Sequence, residues 1–65
     1  MWIRFDDKSG LVLLNPDTGA CFSLYSDAEE IEYMGSDGDV SQEFESHSEA
    51  VNAFVQLSNK LTRLP

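Results

Sequence analysis

The hydrophobic period of this chain changes once, at Ser46, and that change dictates most of what it can fold into. Before Ser46, apolar residues recur at every second position; after it, they recur three and four apart. Period two belongs to a strand with one face buried, period 3.6 to a helix with one apolar stripe. Ser46-His47-Ser48-Glu49 has the form of a capping box, in which a hydroxyl and a carboxylate close the first turn of a helix. Ala50, Val51, Phe54, Leu57, Leu61 and Leu64 then make one stripe. Lys60 and Arg63 fall where cations complement exposed carbonyls, and Pro65 follows. The expectation is a helix within 46–64, with regular turns over about residues 47 to 63 and a length of ~25 Å.

The first 45 residues read as strands. Met1 to Asp6 alternates, with Met1, Ile3 and Phe5 on one side and Trp2, Arg4 and Asp6 on the other. Asp7-Lys8-Ser9-Gly10 is a turn, and Leu11 to Leu14, apolar throughout, suits an inner strand covered on both sides. Asn15-Pro16-Asp17-Thr18-Gly19 is a second turn. Ala20, Phe22 and Leu24 then oppose Cys21, Ser23 and Tyr25 in a third strand. Ser26 to Glu30 is read as a loop, because Ile31 and Tyr33 alternate with Glu30 and Glu32 directly afterwards. Gly35 to Gly38 is a hairpin turn, and Asp39 to Glu45 is a fifth strand with Val40, Gln42 and Phe44 on one side. The fold class is therefore α+β: a single domain over 1–65, with a five-stranded antiparallel meander in 1–45 and one C-terminal helix on one face.

Size and charge exclude several functions. With 65 residues and one cysteine, the chain has no disulfide framework and no cysteine-rich zinc site. No apolar run approaches the ~18 residues of a membrane span, and no basic segment precedes an apolar one, so a cytoplasmic location is expected. A net charge of -8 argues against direct binding to nucleic acid or anionic lipid.

Candidate chemistry is sparse. His47, the one histidine, is read as an exposed residue in the first helical turn with no nucleophile tied to it. Cys21 is read as a half-buried structural thiol, with Arg4 as its only plausible cationic neighbour across the sheet. Asp37-Gly38-Asp39 and Asn15-Pro16-Asp17 read as turn formers, since neither continues into a calcium loop. No catalytic residue, metal site or cofactor is expected.

Charge distribution is the feature that stands out. Residues 1–26 carry a net -1 and residues 50–65 a net +2, while residues 27–49 hold nine acids and no base. That is more than solubility requires, and it repels itself. Glu30, Glu32, Asp37, Asp39, Glu43 and Glu45 are therefore expected to form a joint acidic surface for a basic protein partner, with Glu30 and Glu32 aligned beside Glu43 and Glu45. A helix ~10 Å across cannot cover five strands spaced ~4.8 Å apart, nor even all of one face. The expected covered face carries Ile3, Phe5, Phe22, Leu24, Ile31, Val40 and Phe44. The opposite face, with Trp2, Tyr25 and Met34, is expected to be a docking or self-association patch that makes a homodimer.

The Trp2-Ile3-Arg4 strand, the Leu14-Asn15 turn and the Phe44-x-Ser46-x-x-Glu49-Ala50 helix entry look like those of many short bacterial and prophage proteins. In size and acidity the chain resembles phage-encoded inhibitors of host defence, of the anti-CRISPR and anti-restriction kind, some of which imitate DNA phosphates. The resemblance rests on size and composition over the whole chain, and it implies a non-enzymatic protein that sequesters or inhibits a host protein. Two alternatives stand beside that reading: a DNA mimic that occupies the groove of a nucleic-acid-binding protein, and a structural subunit with an obligate homo-oligomeric interface.

Overall fold

The computed structural model describes residues 1–62. Five strands, β1 (Ile3–Asp7), β2 (Gly10–Leu14), β3 (Cys21–Tyr25), β4 (Glu30–Gly35) and β5 (Gly38–Glu43), precede one helix, α1 (His47–Thr62). The strands lie in one open sheet in sequence order, each antiparallel to the next. The α+β meander predicted from the change of period is the fold adopted. Leu64, Arg63 and Pro65, assigned to the end of the stripe and the last turn, lie outside the described residues. No described helix is long and apolar enough to cross a membrane.

Local chemistry sets each boundary. Ser46 caps the helix: its hydroxyl accepts from the Glu49 amide at 3.1 Å, and its carbonyl accepts from the Ala50 amide. In the β1–β2 turn, Asp7 Oδ1 accepts from the Ser9 hydroxyl, the Ser9 amide and the Gly10 amide, so one carboxylate holds the whole reversal. Gly10 is required there, since its φ is +145° and an added Cβ would run into the Leu24 carbonyl oxygen. Asn15 does the same work for the second turn: its side chain accepts from the Asp17 amide and its carbonyl from Thr18 and Gly19. The 26–29 connection is a loop, as expected, with Asp27 at φ +66°.

The core forms where the helix stripe meets the middle of the sheet. Leu13, Leu24, Ile31, Ala50 and Phe54 make one buried cluster, and Phe54 and Leu13 are fully enclosed. Burying side chains of that size stabilises by about 1.5–3 kcal/mol each. Ser58, four residues after Phe54, is also buried and continues the buried line of the helix from Ala50 and Phe54.

Three expectations are corrected. β1 faces the other way. Arg4 is paired with Leu13 and Asp6 with Leu11, so Trp2, Arg4 and Asp6 share the helix face, and Ile3 and Phe5 lie on the open face, 45% and 44% exposed. Trp2 packs against Phe22, ring centroids 5.5 Å apart, and joins the core rather than the open patch. The indole has more apolar area to bury than Ile3, and Phe22 offers it a partner. β2 is an inner strand, but only Leu13 is buried; Val12 and Leu14 look out onto the open face and are half-buried by their neighbours in the sheet. β5 ends at Glu43 because its partner β4 begins at Glu30, and the chain bends at Glu45 before the Ser46 cap, so Glu45 leaves the ladder.

Candidate binding surface

The face opposite α1 is divided along the strand order. Two cross-strand rows run over it. Ile3, Leu14, Cys21, Met34 and Asp39 form one row, and Phe5, Val12, Ser23, Glu32 and Ser41 the next. Directly paired residues share a face and touch. The β1–β3 half is thus apolar, and the β4–β5 half carries the acids. Met34, 52% exposed, is continuous with Cys21, Leu14 and Ile3. Tyr25, 53% exposed, is paired with Gly10 at the far end of β3, four residues from Cys21, or ~13 Å along the strand. Of the three residues expected in one patch, Met34 and Tyr25 are on this face but apart, and Trp2 is on the other.

Four of the six predicted acidic residues are brought together. Glu30 is directly opposite Glu43, Glu32 opposite Ser41, and Asp39 opposite Met34, so Glu30, Glu32, Asp39 and Glu43 share the open face. Asp37 sits in the two-residue β4–β5 turn at the end of that face. Glu45, in the bend after β5, is opposite nothing in β4, which corrects its expected alignment with Glu30 and Glu32. Among the described residues, the ion pairs are the Met1 amine with Asp17 at 2.9 Å and Arg4 with Asp6 at 3.5 Å; neither involves β4 or β5.

The helix side of β4 and β5 holds a second opening. A groove of about 360 Å³ runs between α1 and the sheet, with Phe22, Tyr33, Val40, Phe44, Ala53 and Leu57 among its walls. Val40 is on the covered face but 66% exposed, because α1 packs chiefly over β4, β3 and β1. Phe22 and Tyr33 meet at a tilt of 51°, ring centroids 4.8 Å apart, on the sheet side of the groove. The groove was not predicted residue by residue, although the ratio of helix width to sheet width required an uncovered margin of this kind.

The chemically reactive side chains are engaged in structure. His47 Nδ1 is 2.6 Å from the Ala28 carbonyl; a carbonyl only accepts, so Nδ1 carries the proton and pins the helix start to the β3–β4 loop. His47 is therefore half-buried and bonded, not the exposed residue expected. The Cys21 thiol donates to the Phe22 carbonyl at 3.7 Å and lies between Leu14 and Met34, while Arg4 is on the other face. Among the described residues, no three His, Cys, Asp or Glu side chains converge on a point where a metal ion could sit. Asp7 and Asp17 are the perturbed acids: the Ser9 hydroxyl holds Asp7 below its ordinary value, and the hydrogen-bonded Met1 amine does the same for Asp17. Both are turn residues away from the acidic rows.

No protein-family model matches the chain, and no curated protein or solved structure matches it.

Proposed function

We propose that this chain is a non-enzymatic binding protein that docks on a basic surface of a partner protein through the open face of β4 and β5. In that reading it is a small inhibitor of a host protein, of the phage type its size and acidity resemble. The observation that carries the proposal is the direct opposition of Glu30 and Glu43, with Glu32 and Asp39 beside them and no base on that half of the face among the described residues. Like charges opposed across strands cost about 0.2–1 kcal/mol. A Lys- and Arg-rich surface relieves that repulsion, and it associates quickly and with strong salt dependence.

Two other readings have an observation each. The apolar row from Ile3 to Met34 fits a second copy of the chain, giving a homodimer. The clustered carboxylates fit a DNA mimic in the groove of a nucleic-acid-binding protein. One experiment separates the three. Immobilised wild type, Glu32→Lys/Glu43→Lys and a charge-matched Asp6→Lys/Asp17→Lys control are each used to capture proteins from a lysate at low and high salt. The expected result is a partner held by wild type and control at low salt and lost by the β4–β5 variant. Equal capture by all three proteins at both salts overturns the proposal. Release of the partner by added DNA selects the mimic, and light scattering at twice 7.3 kDa, unchanged in the variant, selects the homodimer.

A further inference from the structure

β5 is the last strand of an open sheet, and its hydrogen-bonding parity can be read from its turn. Gly35 and Gly38 flank the two-residue loop Ser36-Asp37, which makes them a hydrogen-bonded pair. Bonded and non-bonded pairs alternate in an antiparallel ladder, so Tyr33 with Val40 and Ile31 with Gln42 are bonded too. The Phe44 amide, donating to the Glu29 carbonyl at 2.8 Å, continues the same parity. Asp39, Ser41 and Glu43 therefore direct their backbone N–H and C=O groups away from β4, into solvent. Their side chains lie on the acidic face, while those of Val40 and Gln42 lie on the groove side.

This edge thus offers three features in one register: free backbone groups, carboxylates on one side and an apolar groove on the other. Resting on the basic-partner reading above, we infer that β5 is a docking strand for an extended segment of a partner protein whose residues alternate between basic and apolar. Such a segment adds as a sixth strand, with Lys or Arg opposite Asp39 and Glu43 and apolar side chains beside Val40 and Gln42, reaching the groove walls at Phe44 and Leu57. Charge disfavours a second β5 as the occupant. Antiparallel self-pairing about Ser41 sets Asp39 against Glu43 of the other copy at both ends, which is repulsive.

The probe is a synthetic peptide of alternating Lys and Val, compared with a scrambled peptide of the same composition. Three proteins are titrated: wild type, Ser41→Pro and Glu32→Lys/Glu43→Lys. Ser41→Pro removes one outward N–H and leaves the β4 ladder intact, a substitution that edge strands accommodate. Binding is expected to be seen only with the alternating peptide. Amide exchange at Asp39, Ser41 and Glu43 should slow in the complex, and Ser41→Pro, with unchanged circular dichroism, should weaken binding about tenfold or more. Equal binding of both peptides, or full binding to Ser41→Pro with no slowed exchange at these three amides, overturns the docking strand. If the charge-reversal variant alone loses binding, the acidic face binds without strand addition, and the broader proposal survives the narrower one.

Discussion

The β1–β2 and β4–β5 hairpins close the two ends of the sheet with the same device, a two-residue loop between hydrogen-bonded partners, but they spend their side chains differently. In β1–β2 the turn is tied down by Asp7, the exposed helix-face residues Arg4 and Asp6 of the edge strand neutralise one another, and β2 sends Leu13 into the centre of the core. In β4–β5 Ile31 is the buried residue and β5 is exposed throughout, as β1 is, but the acids meet one another instead of a base. The edge strand is exposed at both ends of the sheet, and unrelieved like charge lies at the β4–β5 end. An edge strand that buries none of its side chains can keep an unfavourable surface without unfolding the domain, which leaves that surface available for the docking proposed above.

The sharpest way to break this contrast is to truncate one apolar residue in each hairpin. Leu13→Ala should cost about 2–5 kcal/mol, against roughly 3–10 kcal/mol of total stability for a domain this size. Val40→Ala should fall within about 0.5 kcal/mol. Urea melts of the two variants decide the matter, and equal midpoints would mean that β5 is as structural as β2. The next difference lies in the turns. Gly38 has φ +124° but open space around it, so alanine there costs about 1–3 kcal/mol from the backbone alone. Gly10→Ala has the same strain plus the collision with the Leu24 carbonyl, so its melting midpoint should lie below that of Gly38→Ala. The reverse order would show that β2 and β3 can separate locally without penalty.

The smallest effect concerns pH and belongs to the β1–β2 turn alone. Asp7 is held below its ordinary value of 3.8, first by the Ser9 hydroxyl and then by the Ser9 amide, with desolvation opposing them and the Gly10 amide adding the smallest share. A carboxyl whose folded value is depressed adds stability above its unfolded value and loses it as pH falls through the folded one. The turn should therefore loosen only below about pH 3.8. Ser9→Ala removes the largest cause, and the Asp7 carboxyl midpoint followed by carbon NMR should rise. An unchanged midpoint would remove the Ser9 hydroxyl from the account.

The sequence carried the elements well and the orientation of β1 poorly, for a physical reason. Alternation says which residues share a face, not which face is covered; Ile3 and Phe5 satisfy the pattern on either side. What decides is tertiary: the Asp7–Gly10 pairing sets the register, and Trp2 finds Phe22 only when β1 presents its even residues to the helix. The acidic rows were legible because the short Gly35–Gly38 turn leaves β4 and β5 one register, and that register opposes Glu30 to Glu43. Glu45 was misplaced because β4 begins at Glu30 and leaves β5 without a partner beyond Glu43, and nothing in a run of alternating residues announces that. The bond from His47 to Ala28 spans 19 positions and has no local signature at all.

Because each strand pairs only with the one that precedes it in the chain, every hairpin can form from a short closure, across Lys8-Ser9, 15–20, 26–29 and Ser36-Asp37 in turn. Small loops are entropically cheap to close, and topologies made of local contacts fold fast for their size. Docking α1 on β1 is the long step, since it joins the last element to the first. The meander therefore assembles before its core is complete, and for that interval Leu13, Leu24 and Ile31 are open to water on one face while the acids of β4 and β5 already repel neighbouring molecules. The same carboxylates proposed to meet a partner in the finished protein would keep the half-finished one from aggregating.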